Sequence, residues 1–274
     1  MASLRSSHIQ STWSWAIGGA AIGAVMALLV HLPAQWLAQV VSKATQKQVQ
    51  LQEAQGSVWQ GSGKLVLTGG EGSRDALALP GRIHWHTALA FNGLQWPHFN
   101  LNMNAACCMT QTVQLSLQVA ERLGIWQLQI NDHRSQWPAH LLSGLGAPWN
   151  TLQPEGNLIL ETKQLQVQFQ TATTWLQGGL TLTAENMSSK LSTLQPMGTY
   201  RIQLGGSASP NVMPSLTLST QSGSLLLSGQ GQWQGSKLQF RGEASAVPEH
   251  AEALSNLLNI IGRRQGARSL LSLG

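Results

Sequence analysis

The chain has 274 residues, 42% of them hydrophobic and only 10% charged, with a formal net charge of +5. Ordinary soluble domains carry about a quarter charged residues, so this composition argues against a cytosolic helical enzyme. Gln, Ser, Thr and Asn fill the difference, as in 48–55 and 164–170, and suit strands with a solvated, uncharged face. The positive charge reflects scarce acids rather than clustered bases interleaved with aromatics, so no nucleic-acid partner is expected.

The first element in chain order is apolar. Trp13 to Leu32 reads WSWAIGGAAIGAVMALLVHL without Asp, Glu, Lys or Arg, about the 20 residues a membrane-crossing helix needs. Trp13 and Trp15 at one end and Trp36 beyond the other are the expected membrane-interface anchors, and Pro33 is a natural helix stop. A cleaved signal peptide would have a shorter apolar stretch and a small-x-small site. Cleavage after Ala34 would put Leu32 at a position that should be small, so a retained anchor is preferred. Small residues recur along this span: Gly19 and Gly23 form a GxxxG pair, with Ala16, Ala20 and Ala24 beside them and Ala27 extending the row, a smooth ridge on which a second helix can pack. Arg5 on one side and Lys43 and Lys47 on the other leave the positive-inside rule nearly balanced.

Residues 37–48 read as a linker. Beyond them apolar and polar residues alternate, as strands with one buried face do: 98–104, 112–119, 125–130, 158–160, 165–169, 180–182, 202–204, 216–218 and 238–240. Gly, Pro and Ser separate these runs, which predicts a mainly β, mostly antiparallel, repetitive domain, curved or layered, over 49–274. Two segments interrupt the alternation. A short middle helix is expected over 138–145, with Leu141, Leu142 and Leu145 on one side. A C-terminal covering helix is expected from Pro248 to Gly262, its stripe formed by Leu254, Leu257, Leu258 and Ile261. Arg263, Arg264 and Arg268 would then complement that helix's C-terminal dipole. Two echoes suggest a β-repeat or chance in a Gln-, Leu- and Gly-rich chain: Leu152, Gln153, Pro154 and Gly156 return as Leu194, Gln195, Pro196 and Gly198, and Trp59 to Ser62 returns as Trp233 to Ser236.

Few residues suggest chemistry. Asp132 and His133 adjoin in a loop but lack a placed nucleophile, and they read as solvated turn residues. His84 and His86 share a strand face, with His98 on a following strand; three imidazoles can bind zinc, but no carboxylate stands near to orient them. Cys107 and Cys108 are adjacent, either two small apolar side chains near a hairpin end, the preferred reading, or a disulfide within a turn. No catalytic residue, cofactor or metal site is expected.

The order of several segments resembles protein N of the bacterial type II secretion system. The resemblance lies in the apolar span followed by Pro33, the Ala54-Gln55-Gly56-Ser57-Val58-Trp59-Gln60-Gly61 segment, the Gln153-Pro154-Glu155-Gly156 turn, and Ser222-Gly223-Ser224-Leu225 through Gly231. It continues through Phe240, Gly242, Ala244 and Ala246, then Leu254, Leu257, Leu258 and Gly262. No one of these motifs is specific, and their order carries the likeness. It implies a non-enzymatic, single-pass inner-membrane component that supports export of folded proteins through contacts with other secretion components. Residues 1–12 would be cytoplasmic, 13–36 the membrane segment, and 49–274 periplasmic. The family is itself distantly similar to AsmA-type envelope proteins, so the alternative is a sheet whose groove handles lipid or another apolar ligand.

Overall fold

The computed structural model describes residues 13–90, 98–119, 125–170, 173–206, 213–234 and 237–274. Two helices open the described chain, α1 (Trp13–Val30) and α2 (Ala34–Ala44). Sixteen strands of one sheet follow: β1 (Val49–Gly56), β2 (Gln60–Thr68), β3 (Ala76–Ala78), β4 (Ile83–Ala90), β5 (His98–Ala105), β6 (Val113–Val119), β7 (Trp126–Ile130) and β8 (His133–Pro138) form its first half. After a 3-10 helix (Ala139–Leu145) and the single-turn α3 (Trp149–Leu152) come β9 (Pro154–Gln170), β10 (Thr173–Ser189), β11 (Gly198–Gly205), β12 (Ser215–Gly223), β13 (Leu225–Gln234) and β14 (Lys237–Ala246). The chain closes with a second 3-10 turn (Pro248–His250), α4 (Ser255–Ile261), β15 (Arg263–Gln265) and β16 (Arg268–Leu273).

Every strand pairing is antiparallel, and the sheet is open, running from β1 at one edge to β15 at the other. Because strands mostly pair with their sequence neighbours, short turns suffice to connect them. β2 and β9 each take two neighbours on one side. β9 pairs β8 through 157–162 and β7 through 165–169, with the break at Gln164.

The expected alternation extends across strands as continuous ladders. On one face Phe99 pairs with Leu117, Leu117 with Leu128, Leu128 with Val167 and Val167 with Leu176. Beside it, with side chains on the other face, Asn100, Ser116, Gln129, Gln166 and Gln177 form an uncharged polar ladder. A strand's side chains alternate sides with period two, so one inserted residue exchanges the faces beyond it. Gln164 is such an insertion, with φ 45° and a register shift between β9 and β10. Leu158 and Leu160 lie at even positions and Leu165, Val167 and Phe169 at odd ones, so the bulge keeps both sets on one side. Its backbone N–H donates to Asp132 Oδ1 at 2.7 Å. Glu53 (φ 50°) and Asn186 (φ 51°) lie at comparable shifts.

Helical segments cover the apolar face at one end. Leu254, Leu257 and Leu258 are buried against Leu158, Tyr200, Leu225 and Ala244, with Ile261 half-buried beside them. A second cluster joins Leu79, Ile83, Ala105, Cys108 and Leu141. Gly144 permits this close packing: a Cβ there would lie 2.5 Å from the Leu67 carbonyl oxygen and 2.8 Å from the Leu77 nitrogen.

Several expectations are corrected. The linker 37–48 is mostly α2, which packs on β1 through Ala34, Leu37, Ala38 and Val41. The middle segment is a 3-10 helix, burying Leu141 and Gly144 three residues apart; Leu142 and Leu145 are only half-buried. The C-terminal segment is no continuous helix: Leu254 precedes α4, which spans seven residues. Arg263, Arg264 and Arg268 lie on strands β15 and β16, where Arg268 pairs with Glu243 at 3.2 Å. Among the described residues no helix is long and apolar enough to cross a membrane. The expected crossing to Leu32, and a membrane segment to 36, is interrupted because α1 ends at Val30. Pro33 supplies no N–H and disfavours helical backbone at Leu32.

Leu258 is fully buried, so Leu258→Ala should cost about 2 to 5 kcal/mol. Urea unfolding of the detergent-solubilised chain reads this as a lowered midpoint. An unchanged midpoint would show that the α4 side chains do not hold the sheet.

Candidate functional site

The region where α1 meets the sheet is built from the β1–β2 hairpin. The Val58 N–H donates to Leu32 O at 2.9 Å, and the Trp59 indole Nε1–H donates to Leu29 O at 2.9 Å. Leu29 lies in the last turn of α1, where carbonyls lack helical partners, so Trp59 acts as a cap reaching across thirty residues. Pro33 also forms an antiparallel bridge with Ser57.

The hairpin tip is held from the sheet side. The Trp85 Nε1–H donates to Ser57 O at 3.1 Å, and its ring is buried under Gly61. A Cβ on Gly61 would meet that ring at 2.5 Å. Thus the Ser57 to Gly61 stretch joins α1 to the sheet through named hydrogen bonds. The spacing of tryptophans and glycines in the sequence gives no sign of this partner, because Trp59 and Leu29 are far apart along the chain.

α1 is exposed around its described circumference. Trp13 and Trp15 are 76% and 86% exposed at its start, and Ala16, Ala20, Ala24 and Ala27 are exposed as well. A Cβ placed on Gly19 or Gly23 would meet nothing within 4 Å. Among the described residues, no element of this chain packs on the small-residue ridge. Trp36 lies on α2, 59% exposed.

The candidates for chemistry are dispersed. His84 and His86 are exposed on β4, opposite Asn104 and Asn102 of β5. His98 pairs with Gln118 and lies six positions from Asn104 along β5, roughly 20 Å at strand rise. No group of three or more His, Cys, Asp or Glu could hold a metal among the described residues. Asp132 supports the β9 bulge. His133 is not a solvated turn residue: it is buried, with neither ring nitrogen hydrogen-bonded to protein. Burial holds its pKa below the ordinary histidine value.

Cys107 and Cys108 form a disulfide in the turn between β5 and β6, replacing the preferred reading of two separate apolar side chains. Cys108 is buried in the second core cluster, and its carbonyl accepts the Gln136 N–H at 2.8 Å. The bond joins sequence neighbours, so it closes almost no loop and constrains the unfolded chain little. Of the echoes, Pro154 opens β9 and Gly198 opens β11, but Gly235 and Ser236 lie outside the described residues. An open depression of about 800 Å³ on the sheet is lined by Thr217, Ser219, Gln230, Arg241 and Glu243 together with Leu218 and Leu270.

Two outcomes follow from burial and connectivity. Breaking Cys107–Cys108 with a reductant should change stability by less than about 1 kcal/mol, against the usual 2 to 5 for a native disulfide; a larger loss in urea unfolding would contradict the local role. The unfolded state binds the His133 proton more readily than the folded state does, so its contribution is full above the unfolded pKa and declines as pH falls below it. The midpoint should therefore drop between about pH 7 and about pH 5, and His133→Leu should flatten that slope. An unaltered slope would remove His133 as its source.

The family model for the type II secretion system (T2SS), protein N, matches residues 47–270. No curated protein and no solved structure matches the chain. The matched region starts beyond α1 and α2 and takes in the sheet from β1 to the middle of β16.

Proposed function

Because this chain belongs to the type II secretion system protein N family, we propose that it is a non-enzymatic component of that machine, working through contacts with other secretion components. The observation that carries this reading is the family match across nearly the whole sheet. The adjoining Asp132 and His133 both have structural surroundings. Asp132 accepts a backbone N–H at the bulge, and His133 is buried at the start of β8. Partners would be other secretion components and the membrane, with no cofactor.

We further propose inner-membrane placement, with residues 1–12 cytoplasmic and the sheet periplasmic. α1 is supported as the anchor by its lack of charge and its exposed apolar side chains on every side. Its 18 residues measure about 27 Å, against about 30 Å of hydrocarbon. A short helix is accommodated by local thinning of the bilayer, at fractions of a kcal/mol per Å. The tryptophans at its start suit the interfacial layer. The exposed ridge of Ala16, Gly19, Ala20, Gly23, Ala24 and Ala27 then offers a contact for a helix of a partner protein. In lipid such contacts rely on packing of smooth surfaces rather than on the hydrophobic effect.

Alkaline phosphatase fused after Gly262 should be active, as expected in the periplasm; activity only of a cytoplasmic reporter there would refute the topology. Replacing Gly19 and Gly23 by Leu should preserve insertion but reduce co-purification with inner-membrane secretion components. Undiminished co-purification would assign the assembly contacts to the sheet.

A further inference from the structure

α2 has two occupied or occupiable sides. Its inner side is closed against β1 by buried Ala34 and half-buried Leu37, Ala38 and Val41. On the opposite side Trp36, Val40 and Lys43 follow one another at i, i+4 and i+7, which is one stripe of a helix. Trp36 is 59% and Val40 62% exposed, and Lys43 is exposed too. The sheet already takes the core-facing stripe, so this second apolar stripe is not part of the domain's own core.

From its connection to α1 we infer that this stripe docks on the phospholipid headgroup layer of the bilayer that holds α1. The inference rests on the anchor reading above and extends it to a second membrane contact. Val30 ends α1 and Ala34 begins α2, four steps that span at most about 14 Å when extended. The interfacial layer outside the hydrocarbon is itself about 5 to 8 Å deep. The first turn of α2 therefore starts within reach of that layer.

Docking is favoured by the order of residues along the stripe. An indole suits the headgroup boundary, a valine can enter the outermost acyl region, and a lysine can extend its ammonium to lipid phosphates. α2 contains no Asp or Glu, so an anionic surface meets no opposing charge on it. Lys47, just beyond, is held by Glu71 at 2.6 Å, which leaves Lys43 as the helix's own cation. The hydrogen bonds from Val58 and Trp59 to Leu32 and Leu29 restrict rotation of the sheet about α1. α2 adds a second point of support, and two points set a direction.

The test uses one spin label at a time on the full-length chain in vesicles of phosphatidylethanolamine and phosphatidylglycerol. The two native cysteines are joined to each other, so an introduced Cys is the only free thiol. Val25→Cys reports on α1, Val40→Cys on α2, and Gln230→Cys on the exposed sheet. Collisions with oxygen, which concentrates in lipid, are compared with those with a water-soluble nickel chelate. The Val25 label should be dominated by oxygen, the Gln230 label by nickel, and the Val40 label should fall between them. Adding Trp36→Gln should shift the Val40 label toward the aqueous value. If the Val40 label matches Gln230 while Val25 remains oxygen-dominated, α1 is an anchor and α2 does not dock. If it matches Val25, α2 lies in the hydrocarbon and surface docking is wrong. If Val25 itself is nickel-dominated, the anchor reading fails and takes this inference with it.

Discussion

The architecture depends on keeping apolar side chains on one side of an uninterrupted antiparallel sheet. A strand achieves this by alternation, but long strands accumulate twist and need changes of partner, as β9 does between β8 and β7. At Gln164 the inserted residue exchanges even for odd positions, and Leu165, Val167 and Phe169 continue the apolar face begun by Leu158 and Leu160. Without that insertion, the glutamines at 166 and 168 would face the core. Asp132 satisfies the N–H that the bulge releases, which explains an acid in a chain that has few.

The same sheet economises on layers. α4 and the 3-10 helix cover only one end of the apolar face, while Phe99, Trp126 and Phe169 stay 39% to 45% exposed at the other. The opposite face carries mostly amides and hydroxyls, with a few charged groups such as Glu161 and Arg241 among them. Surface thus remains exposed on both faces of the sheet. Its attachment to α1 through Trp59 and Val58 gives those surfaces a defined relation to the end of the helix.

Much of this was legible from alternation alone. The runs at 98–104, 112–119, 125–130 and 238–240 match strands of the antiparallel sheet, with Thr112 and Ile125 one residue ahead of β6 and β7, because each is short and one-sided. The runs at 158–160 and 165–169 belong to one strand, and the sequence separates them because the bulge reverses their parity. β15 and β16 were hidden for another reason: Arg263, Arg264 and Arg268 resemble a helix terminus, while on the edge strand β15 the charges of Arg263 and Arg264 discourage further pairing. The helix in 37–48 was concealed by its polar side, and its apolar inner side becomes evident only against β1. The cap from Trp59 to Leu29 was beyond reach, since side-chain hydrogen bonds over long separations leave no periodic trace.

The family match places the chain in the type II secretion system protein N family, and the role proposed for it is to hold components of that machine in place. That role differs from catalysis in what its loss would do: substrates would fold and reach the periplasm, yet stall there. The most direct measurement is the distribution of a folded exported protein in a strain lacking this chain. The account predicts that its extracellular fraction falls and its periplasmic fraction rises, and that the His133→Leu protein, if stably produced, restores export. Extracellular levels unaffected by the deletion would contradict a part in type II secretion.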